Sequence, residues 1–254
     1  MKNIPSEKNK ITSLLFDFIY GLYQWVFLFP FIFVITLFLG TAIILISYIT
    51  RSKLFSHTLA TWWAKLILFF SIVNIECTGA ENITRNQSYV IVANHISAYD
   101  IFIMYSCLKY HFIVIIKKEI RKVPFFGLLC ERLGHIYVDR YSGKQALLSL
   151  NRAKHSIKNG TSILFFPEGT RSKTGELGNF KYGAFRMAHE LNIPILPITI
   201  SGTREILKPN TLKIRPGKVK VVIHKEINTT NYKSNENAIQ NLMHAAKESI
   251  LNDV

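Results

Sequence analysis

The sequence YVIVANHISAYD, from Tyr89 to Asp100, contains a change from a strand pattern to a helix pattern. Its apolar run Val90–Ala93 is typical of a buried strand and ends shortly before His95, so we expect the imidazole at the carboxyl end of that strand. Open α/β sheets bind ligands at this end of their strands. The next apolar run, Ile101–Leu108, predicts a buried helix. A strand, a turn carrying His95 and a helix are therefore expected in this order.

Asp100 follows His95 by five positions, and two interpretations of its carboxylate are open. In the first, Ser97 and Asp100 resemble a capping box, and the acid faces the positive end of the helix. In the second, Asp100 holds His95 in one tautomer and makes it a better general base. Five positions on one helix are about 140° apart. The two side chains can therefore meet only if His95 lies in the turn and Asp100 in the first helical turn.

Composition limits the class of protein. The chain has 254 residues, enough for one sizeable α/β domain. Its 31 Lys and Arg against 16 Asp and Glu give a net charge of +15, which indicates an anionic partner: nucleic acid, an acidic membrane or a phosphate group. The 49% hydrophobic content argues against a simple soluble nucleic-acid binder. Three widely spaced cysteines indicate neither a disulfide framework nor a zinc site, which fits a reducing compartment.

The amino-terminal third has the composition of a membrane anchor. Residues 18–50 are 33 positions without a charged side chain. One helix of this length would reach roughly 50 Å, against roughly 30 Å for a bilayer core. It must therefore tilt, kink or lie along the interface; Pro30 is the expected kink and Val26–Tyr48 the best single span. Positive charges on both flanks, among them Lys2 and Arg51, leave the orientation open.

A second apolar run, Leu59–Val73, contains paired tryptophans and one lysine. Its short length and its tryptophans favour an interfacial helix or a hairpin partner, with a core helix of the soluble domain as the alternative. From about residue 74, short apolar runs alternate with helical patterns. We therefore predict an amino-terminal membrane-anchoring helical region, residues 1–73, and an α/β domain, residues 74–254.

The alternation predicts a mixed or mostly parallel sheet flanked by helices. The predicted strands are Tyr89–Val92, Phe112–Ile116, His135–Val138, Ser162–Phe166, Ile195–Ile200 and Val219–Ile223. The predicted helices are Ala98–Leu108, Phe125–Arg132, Lys144–Lys158, Tyr182–Glu190 and Glu236–Asn252. The segment Ile193–Thr199, IPILPIT, has two prolines, which favours an edge or terminal strand beside a groove for an acyl chain.

Charged side chains follow several predicted strands. Each has an ordinary explanation: a solvated basic turn around Lys117, a surface ion pair between Asp139 and Arg140, and a plain turn at residues 167–171. Arginine nevertheless suits phosphate through paired hydrogen bonds, and a lysine at a strand end is placed to meet an anion. A base, several cations and a membrane anchor together predict a site that deprotonates a hydroxyl near a phosphate on a lipid substrate.

These segments carry a family resemblance. In order, NHISAYD, KKEIRKVPFFG, GHIYVDR, FPEGTRS and IPILPIT resemble the sequence blocks of the glycerolipid acyltransferases of the PlsC type, the 1-acyl-sn-glycerol-3-phosphate acyltransferases, over about residues 89–200. A lone H-x4-D motif is weak evidence for this family, whereas the presence of all the blocks in order is strong evidence. The resemblance implies transfer of an acyl group from an acyl thioester, acyl-ACP or acyl-CoA, to the sn-2 hydroxyl of lysophosphatidic acid. The product would be phosphatidic acid, in phospholipid biosynthesis.

Carried over position by position, the resemblance implies that His95 is the general base and Asp100 its orienting partner. Lys117 and Arg171 would contact the phosphate, with Lys118 able to replace Lys117. The glycerol and phosphate site would be lined by Asp139, Arg140, Glu168, Gly169 and Thr170. A thioester is already activated, so no acyl-enzyme is needed, and Ser97 is expected to be a helix cap.

The resemblance also implies a setting. We expect a protein of the inner, cytoplasmic membrane whose catalytic domain faces the cytoplasm. The expected partners are anionic membrane lipids and an acyl carrier protein or CoA thioester as co-substrate, with no metal, no other cofactor and no nucleic acid. Two alternatives stay open: an acyltransferase for another lysophospholipid or for glycerol 3-phosphate, and a non-catalytic protein that binds anionic lipid or nucleic acid by charge alone.

Overall fold

A computed structural model describes residues 7–50, 53–157, 160–232 and 237–253, with burial of side chains described from residue 14 onward. The predicted flanking charges at Lys2 and Arg51 lie outside these residues. The same holds for Lys158 and Glu236, the outermost residues of two predicted helices.

Seven strands form one sheet in the order β1-β7-β6-β2-β5-β3-β4. Their bounds are β1 Val73–Thr78, β2 Val90–Ala93, β3 Phe112–Lys117, β4 Ile136–Val138, β5 Ser162–Phe165, β6 Ile195–Ser201 and β7 Gly217–Ile223. β6, β2, β5, β3 and β4 run parallel, whereas β7 is antiparallel to β6 and parallel to β1. The predicted mixed sheet flanked by helices is confirmed.

β2 lies at the centre of this sheet. All four of its residues are buried, and it pairs with both β5 and β6, which explains why Val90–Ala93 is a continuous apolar run. The chain leaves β2 for β3 on one side, whereas it leaves the neighbouring β5 for β6 on the other. Such a change of direction opens a crevice at the carboxyl ends of the two strands. The turn that carries His95 begins at this crevice.

Helices cover the two faces of the sheet. Their bounds are α1 Glu7–Tyr23, α2 Phe29–Ile49, α3 Lys53–Phe70, α4 Tyr99–Cys107, α5 Phe126–Arg132, α6 Gly143–Lys154, α7 Gly183–Leu191, α8 Thr203–Ile206 and α9 Ala238–Leu251. One apolar core contains buried residues of α2, α3, α4 and α5, and a second contains those of α6, α7 and α9. The amino-terminal helices therefore share the core of one face of the α/β domain. The division at residue 73 stays a prediction.

α1 and α2 form one helical rod joined by a π-helical turn, Gln24–Leu28. Pro30, the predicted kink, lies in the first turn of α2. A proline inside a helix has no N–H to donate, and its ring crowds the carbonyl four residues earlier. The N–H of Phe29 bonds to the carbonyl of Gln24, five residues back, which widens the helix just before the proline.

The rod lies along the α/β domain. The helical segment of residues 14–49 is long and apolar enough to cross a membrane, and only 11% of its most apolar 18-residue stretch is buried. Near one end, Asp17 forms ion pairs with Lys213 and Arg215, each at 2.8 Å. Near the other end, the Arg132 guanidinium hydrogen-bonds to Tyr48 and lies over its ring. Both ends of the rod therefore contact the same domain.

Two expectations require correction or refinement, and one strand was missed. The helix predicted at Leu59–Val73 is α3, but it ends at Phe70, and Val73 begins β1. α3 packs on α2 as a hairpin partner and on α4 as a core helix. Of its two tryptophans, Trp62 is exposed, but Trp63 is buried and donates to Thr36. β1 was not predicted, because it is an edge strand with few apolar residues and mostly exposed side chains.

The prediction that IPILPIT forms an edge or terminal strand is wrong, whereas the groove for an acyl chain beside it stays a prediction. β6 lies between β2 and β7, and residues 195–200 are all buried. A central strand tolerates Pro197 because the paired residues of β6 and β7 begin only at Ile198. The carbonyl of Pro197 still accepts a hydrogen bond from the backbone nitrogen of His224 at 3.0 Å.

Candidate active site

His95 and Asp100 are hydrogen-bonded to each other. Nδ1 of His95 lies 2.7 Å from Oδ2 of Asp100, which is 1% exposed. The same carboxylate oxygen accepts from the backbone nitrogens of Ile96 at 2.8 Å and Ser97 at 2.9 Å. Both interpretations of Asp100 therefore describe the structure: it bonds to the backbone before the helix as a capping acid does, and it contacts the imidazole. The Ser97 hydroxyl accepts from the backbone nitrogen of Tyr99, the first residue of α4.

This hydrogen bond selects a tautomer of His95. An ionised carboxylate only accepts hydrogen bonds, so Nδ1 carries the proton and Nε2 of the neutral ring holds a lone pair. Nε2 has no hydrogen-bond partner among the described residues, and the side chain of His95 is 15% exposed. The ring is therefore oriented as a base whose free nitrogen can accept a proton from a bound molecule.

Two neighbours that sequence reasoning missed hold this turn. The ring of Phe166 stacks on the ring of His95, with centroids 4.0 Å apart and 20° between planes, and so shields one face of the imidazole. The buried side chain of Asn94 bonds twice to the backbone of Ile200, at 2.8 Å each. An asparagine directly before the histidine was the only sequence signal for the second contact.

The loop that follows β5 also bonds to His95. One oxygen of Glu168 accepts from the backbone nitrogen of His95 at 2.8 Å, and the other accepts from Gly178 at 2.9 Å. The backbone nitrogen of Ser172 donates to the carbonyl of His95 at 2.8 Å. The segments NHISAYD and FPEGTRS, distant in sequence, therefore form one structural unit.

Gly169 lies between two cations. Its φ of +76° is in the left-handed region, and a Cβ there would lie 2.9 Å from the ammonium nitrogen of Lys181. Its carbonyl accepts a hydrogen bond from Arg140. Burial lowers the pKa of Arg140. Lys181 was not singled out from the sequence, and among the described residues its side chain makes no hydrogen bond or ion pair.

The ion pair suggested for Asp139 with Arg140 is not formed. Successive side chains of an extended chain point to opposite sides, and Asp139 instead pairs with Lys118. The hydrogen bond between them raises the pKa of Lys118 and lowers the pKa of Asp139. Lys118 is thus occupied, which leaves Lys117 as the unpaired lysine at the end of β3.

The predicted phosphate ligands lie at the same edge of the sheet. Lys117 ends β3, and Arg171 directly precedes Ser172, which bonds to His95. Both side chains are exposed, as is Thr170. Within the described part of the chain, neither Lys117 nor Arg171 makes a side-chain hydrogen bond or ion pair, and no described contact joins Lys117 to His95. Nor does any group of three or more His, Cys, Asp or Glu side chains there form a possible metal site.

The fold and this site define a class: α/β proteins with a histidine–carboxylate pair at the switch point of a mixed sheet. A family model described as Acyltransferase matches residues 74–201, half of the chain. The chain belongs to the acyltransferase family, as the resemblance of its sequence blocks implied.

Named relatives are similar over about two thirds of the chain. The chloroplastic 1-acyl-sn-glycerol-3-phosphate acyltransferase of Arabidopsis thaliana is 38% identical over 68% of this chain and 49% of its own length. The 1-acyl-sn-glycerol-3-phosphate acyltransferase of Saccharomyces cerevisiae is 35% identical over 63% of this chain and 53% of its own length. The chain thus spans about half the length of these relatives.

A solved structure shares the fold. The crystal structure of the 1-acyl-sn-glycerophosphate acyltransferase PlsC from Thermotoga maritima has a TM-score of 0.71 and is 24% identical, and the match covers 96% of both chains. Its coverage includes the amino-terminal helices as well as the α/β domain.

Proposed function

We propose that the chain transfers an acyl group from an acyl thioester to the sn-2 hydroxyl of 1-acyl-sn-glycerol 3-phosphate and produces phosphatidic acid. The observation that carries this proposal is the 2.7 Å bond between His95 and Asp100 in a chain of the acyltransferase family, with Nε2 of His95 free of any partner among the described residues. The names of the relatives support the choice of acceptor and product.

In the proposed mechanism, Nε2 of His95 takes the proton of the sn-2 hydroxyl as that oxygen attacks the thioester carbonyl. The tetrahedral intermediate collapses, the carbon–sulfur bond breaks, and the imidazolium returns the proton to the departing thiolate. Asp100 stabilises the transient imidazolium. General-base catalysis of this kind contributes about 10²- to 10⁴-fold to the rate. No metal or other cofactor takes part, and acyl-ACP or acyl-CoA is the co-substrate.

Lys117 and Arg171 are the proposed ligands of the phosphate. Their side chains are exposed at the edge of the sheet where His95 lies, and no described residue neutralises either charge. An unpaired guanidinium can bind a phosphate through two parallel hydrogen bonds. The pairing of Lys118 with Asp139 supports Lys117 over Lys118 for this role.

Three of the remaining predicted site residues belong to the loop that bonds to the backbone of His95. The segment containing Glu168, Gly169 and Thr170 bonds to the backbone of His95 and to Arg140. Asp139 holds Lys118 at the end of β3. We propose that these groups shape the glycerol and phosphate site, with Glu168 and Arg140 acting through the backbone that they hold.

We further propose that the protein lies on the cytoplasmic face of the inner membrane, with the rod in one leaflet. The stripe Asp17, Tyr20, Gln24 faces the domain, whereas Phe18, Trp25 and their apolar neighbours are exposed. A helix with one apolar face toward lipid and one face on a folded domain suits an interfacial position. Both ends of the rod contact the same basic domain. A rod that crossed the bilayer would place this domain in the hydrocarbon core, so these contacts favour the interfacial position.

A substrate panel tests the proposed function. Purified protein is supplied with lysophosphatidic acid, lysophosphatidylcholine, lysophosphatidylethanolamine or glycerol 3-phosphate, each with acyl-ACP or acyl-CoA. We expect phosphatidic acid from lysophosphatidic acid with at least one donor, and much slower acylation of the other acceptors. Faster acylation of another acceptor would contradict the proposed substrate. Lipid binding without any product, lost steeply with added salt, would instead indicate a charge-based binder.

A further inference from the structure

A buried pair of hydroxyl groups joins α4 to the turn between α3 and β1. Oγ of Ser71 and the phenolic oxygen of Tyr99 lie 2.7 Å apart. Ser71 is 0% exposed and Tyr99 2%. Tyr99 is the first residue of α4 and directly precedes Asp100. The hydroxyl pair therefore fixes the helical turn that aims the carboxylate at His95.

The same turn bonds to the membrane-facing rod. The hydroxyl of Tyr20, in α1, donates to the carbonyl of Ser71 at 3.1 Å. Tyr20 is buried, whereas its neighbours Phe18 and Ile19 are exposed apolar residues. A continuous series of contacts, Tyr20 to Ser71 to Tyr99, thus runs from the lipid side of the molecule to the residue beside Asp100.

The backbone at this turn is strained. Ile72 has a φ of 57°, a left-handed conformation that is a clear outlier for a β-branched residue. Such a conformation persists only where the surrounding contacts impose it. The hydrogen bonds of Ser71 to Tyr20 and to Tyr99 are two of those contacts. The turn between α3 and β1 therefore depends on both α1 and α4.

A second connection runs in parallel. The side chain of Gln24, in the π-helical turn, donates to the carbonyl of Leu212 at 2.6 Å and accepts from the nitrogen of Ile214 at 3.0 Å. The same chain segment includes Leu207, whose carbonyl accepts from the Ser97 hydroxyl at 2.8 Å. The backbone nitrogen of Ser97 in turn bonds to the carboxylate of Asp100. Two routes therefore lead from the rod to one carboxylate.

We propose that Ser71 and Tyr99 are positioning residues, and that through Tyr20 they couple the seating of the membrane-facing rod to the orientation of Asp100. This inference rests on the proposed function, because it assigns the coupling an effect on the rate of acyl transfer. No described contact joins the pair to His95, so its loss loosens the Asp100 carboxylate without removing a contact of the imidazole. The rate constant then falls while substrate affinity is retained.

The test removes one hydroxyl. Tyr99→Phe keeps the ring and deletes only the bond to Ser71. We expect kcat to fall about tenfold, the equivalent of one well-placed hydrogen bond, with KM for acceptor and donor within about twofold. A less firmly held carboxylate stabilises the imidazolium less, so the acid limb of the kcat/KM profile should move to lower pH. Ser71→Ala should act alike, and the double variant should be no slower than the slower single variant.

Tyr23→Phe is the matched control. Its hydroxyl, also on α1, donates to the carbonyl of Phe70 at 2.9 Å and makes no described hydrogen bond to Ser71 or Tyr99. We expect parental kcat and an unshifted pH profile. If Tyr99→Phe fails to fold, Tyr20→Phe makes the same test from the other end, and kcat is expected to fall at constant KM.

A readout independent of turnover separates this inference from the proposed function. In ¹⁵N-labelled protein, the Nδ1–H signal of His95, assigned with His95→Gln, should shift in Tyr99→Phe relative to the parent, because its bond to Asp100 is held less firmly. An inactive parent would refute the proposed function, and the NMR shift would still decide the coupling. An unchanged Nδ1–H signal of His95, or an active parent matched by Tyr99→Phe in kcat and pH profile, would refute the coupling.

Discussion

The carboxylate of Glu168 accepts a hydrogen bond from the backbone nitrogen of His95 at 2.8 Å, across 73 positions of sequence. Its second oxygen accepts from Gly178. Both carboxylate oxygens of Glu168 thus accept hydrogen bonds from backbone nitrogens, one of which belongs to the proposed base. Glu168 therefore holds the turn that presents the imidazole.

The first prediction concerns Glu168→Gln. An amide offers only one acceptor oxygen, so the backbone nitrogen of either His95 or Gly178 loses its partner. We expect the free energy of unfolding to fall by about 1–3 kcal/mol and kcat to fall with it, as measured by denaturant unfolding and initial rates. Glu176→Gln, an exposed change in the same loop, is the control. Parental stability and rate in Glu168→Gln would show that these bonds contribute little.

The second prediction concerns phosphate binding. Arg171→Ala removes an unpaired guanidinium at the edge of the sheet where His95 lies. Because a charge-assisted bidentate contact is worth a few kcal/mol, we expect KM for lysophosphatidic acid to rise about tenfold or more, with KM for the thioester nearly unchanged. Lys173→Ala, another exposed cation of the loop, should change neither constant by as much. An equal rise for both substrates would argue against a phosphate contact by Arg171.

The third prediction concerns the membrane. Phe18 and Trp25 are 71% and 62% exposed on the apolar face of the rod. Replacing both with lysine places two charges where acyl chains would lie, at up to about 3 kcal/mol each. We expect sedimentation with anionic vesicles to fall by more than about tenfold. Leu251→Lys, on α9 across the sheet, should bind as the parent does. Undiminished binding of the double variant would place the membrane contact elsewhere.

The fourth prediction concerns acid stability. Burial lowers the pKa of His57 to about 3, of His111 to about 4 and of His135 to about 3, from an ordinary value of 6.5. Below pH 6.5 the unfolded chain therefore binds protons that the folded chain does not, and stability must fall as pH falls. Each of these histidines contributes at most about 1.4 kcal/mol per pH unit. Protonation of Nδ1 of His135 would also break its bond from the backbone nitrogen of Val114.

Thermal unfolding at pH 7.5, 6, 5 and 4 measures this effect. We expect Tm to be highest at neutral pH and to fall progressively below about pH 6.5. A Tm that is constant down to pH 4.5 would show that these histidines are not buried as neutral rings.

The sequence is informative where the determining contacts are local. The strand before His95, the helix after it and the charges at the strand ends all follow from short runs of residues. The pairing of His95 with Asp100 could be considered from the sequence because the two residues are only five positions apart. Even there, two interpretations of Asp100 stood as alternatives, whereas one carboxylate oxygen makes the contacts that both require.

Contacts between distant segments could not be predicted. Nothing near Phe166 in sequence indicates that its ring covers the imidazole, and nothing near Asp139 indicates that its partner is Lys118 rather than Arg140. The central position of β6 depends on β7 and β1, and β1 has too little apolar pattern to be recognised. Pairing between strands far apart in sequence determines these features, and periodicity reports only on single elements.

His95→Ala tests the central claim most directly, with His155→Ala, an exposed histidine after α6, as the matched control. Phosphatidic acid formed from lysophosphatidic acid and an acyl thioester is measured beside Tm and vesicle binding. The account predicts that His95→Ala loses at least about 10²-fold in rate while keeping the Tm and membrane binding of the parent, and that His155→Ala loses nothing. Phosphatidic acid formation by His95→Ala at the parental rate would contradict the account.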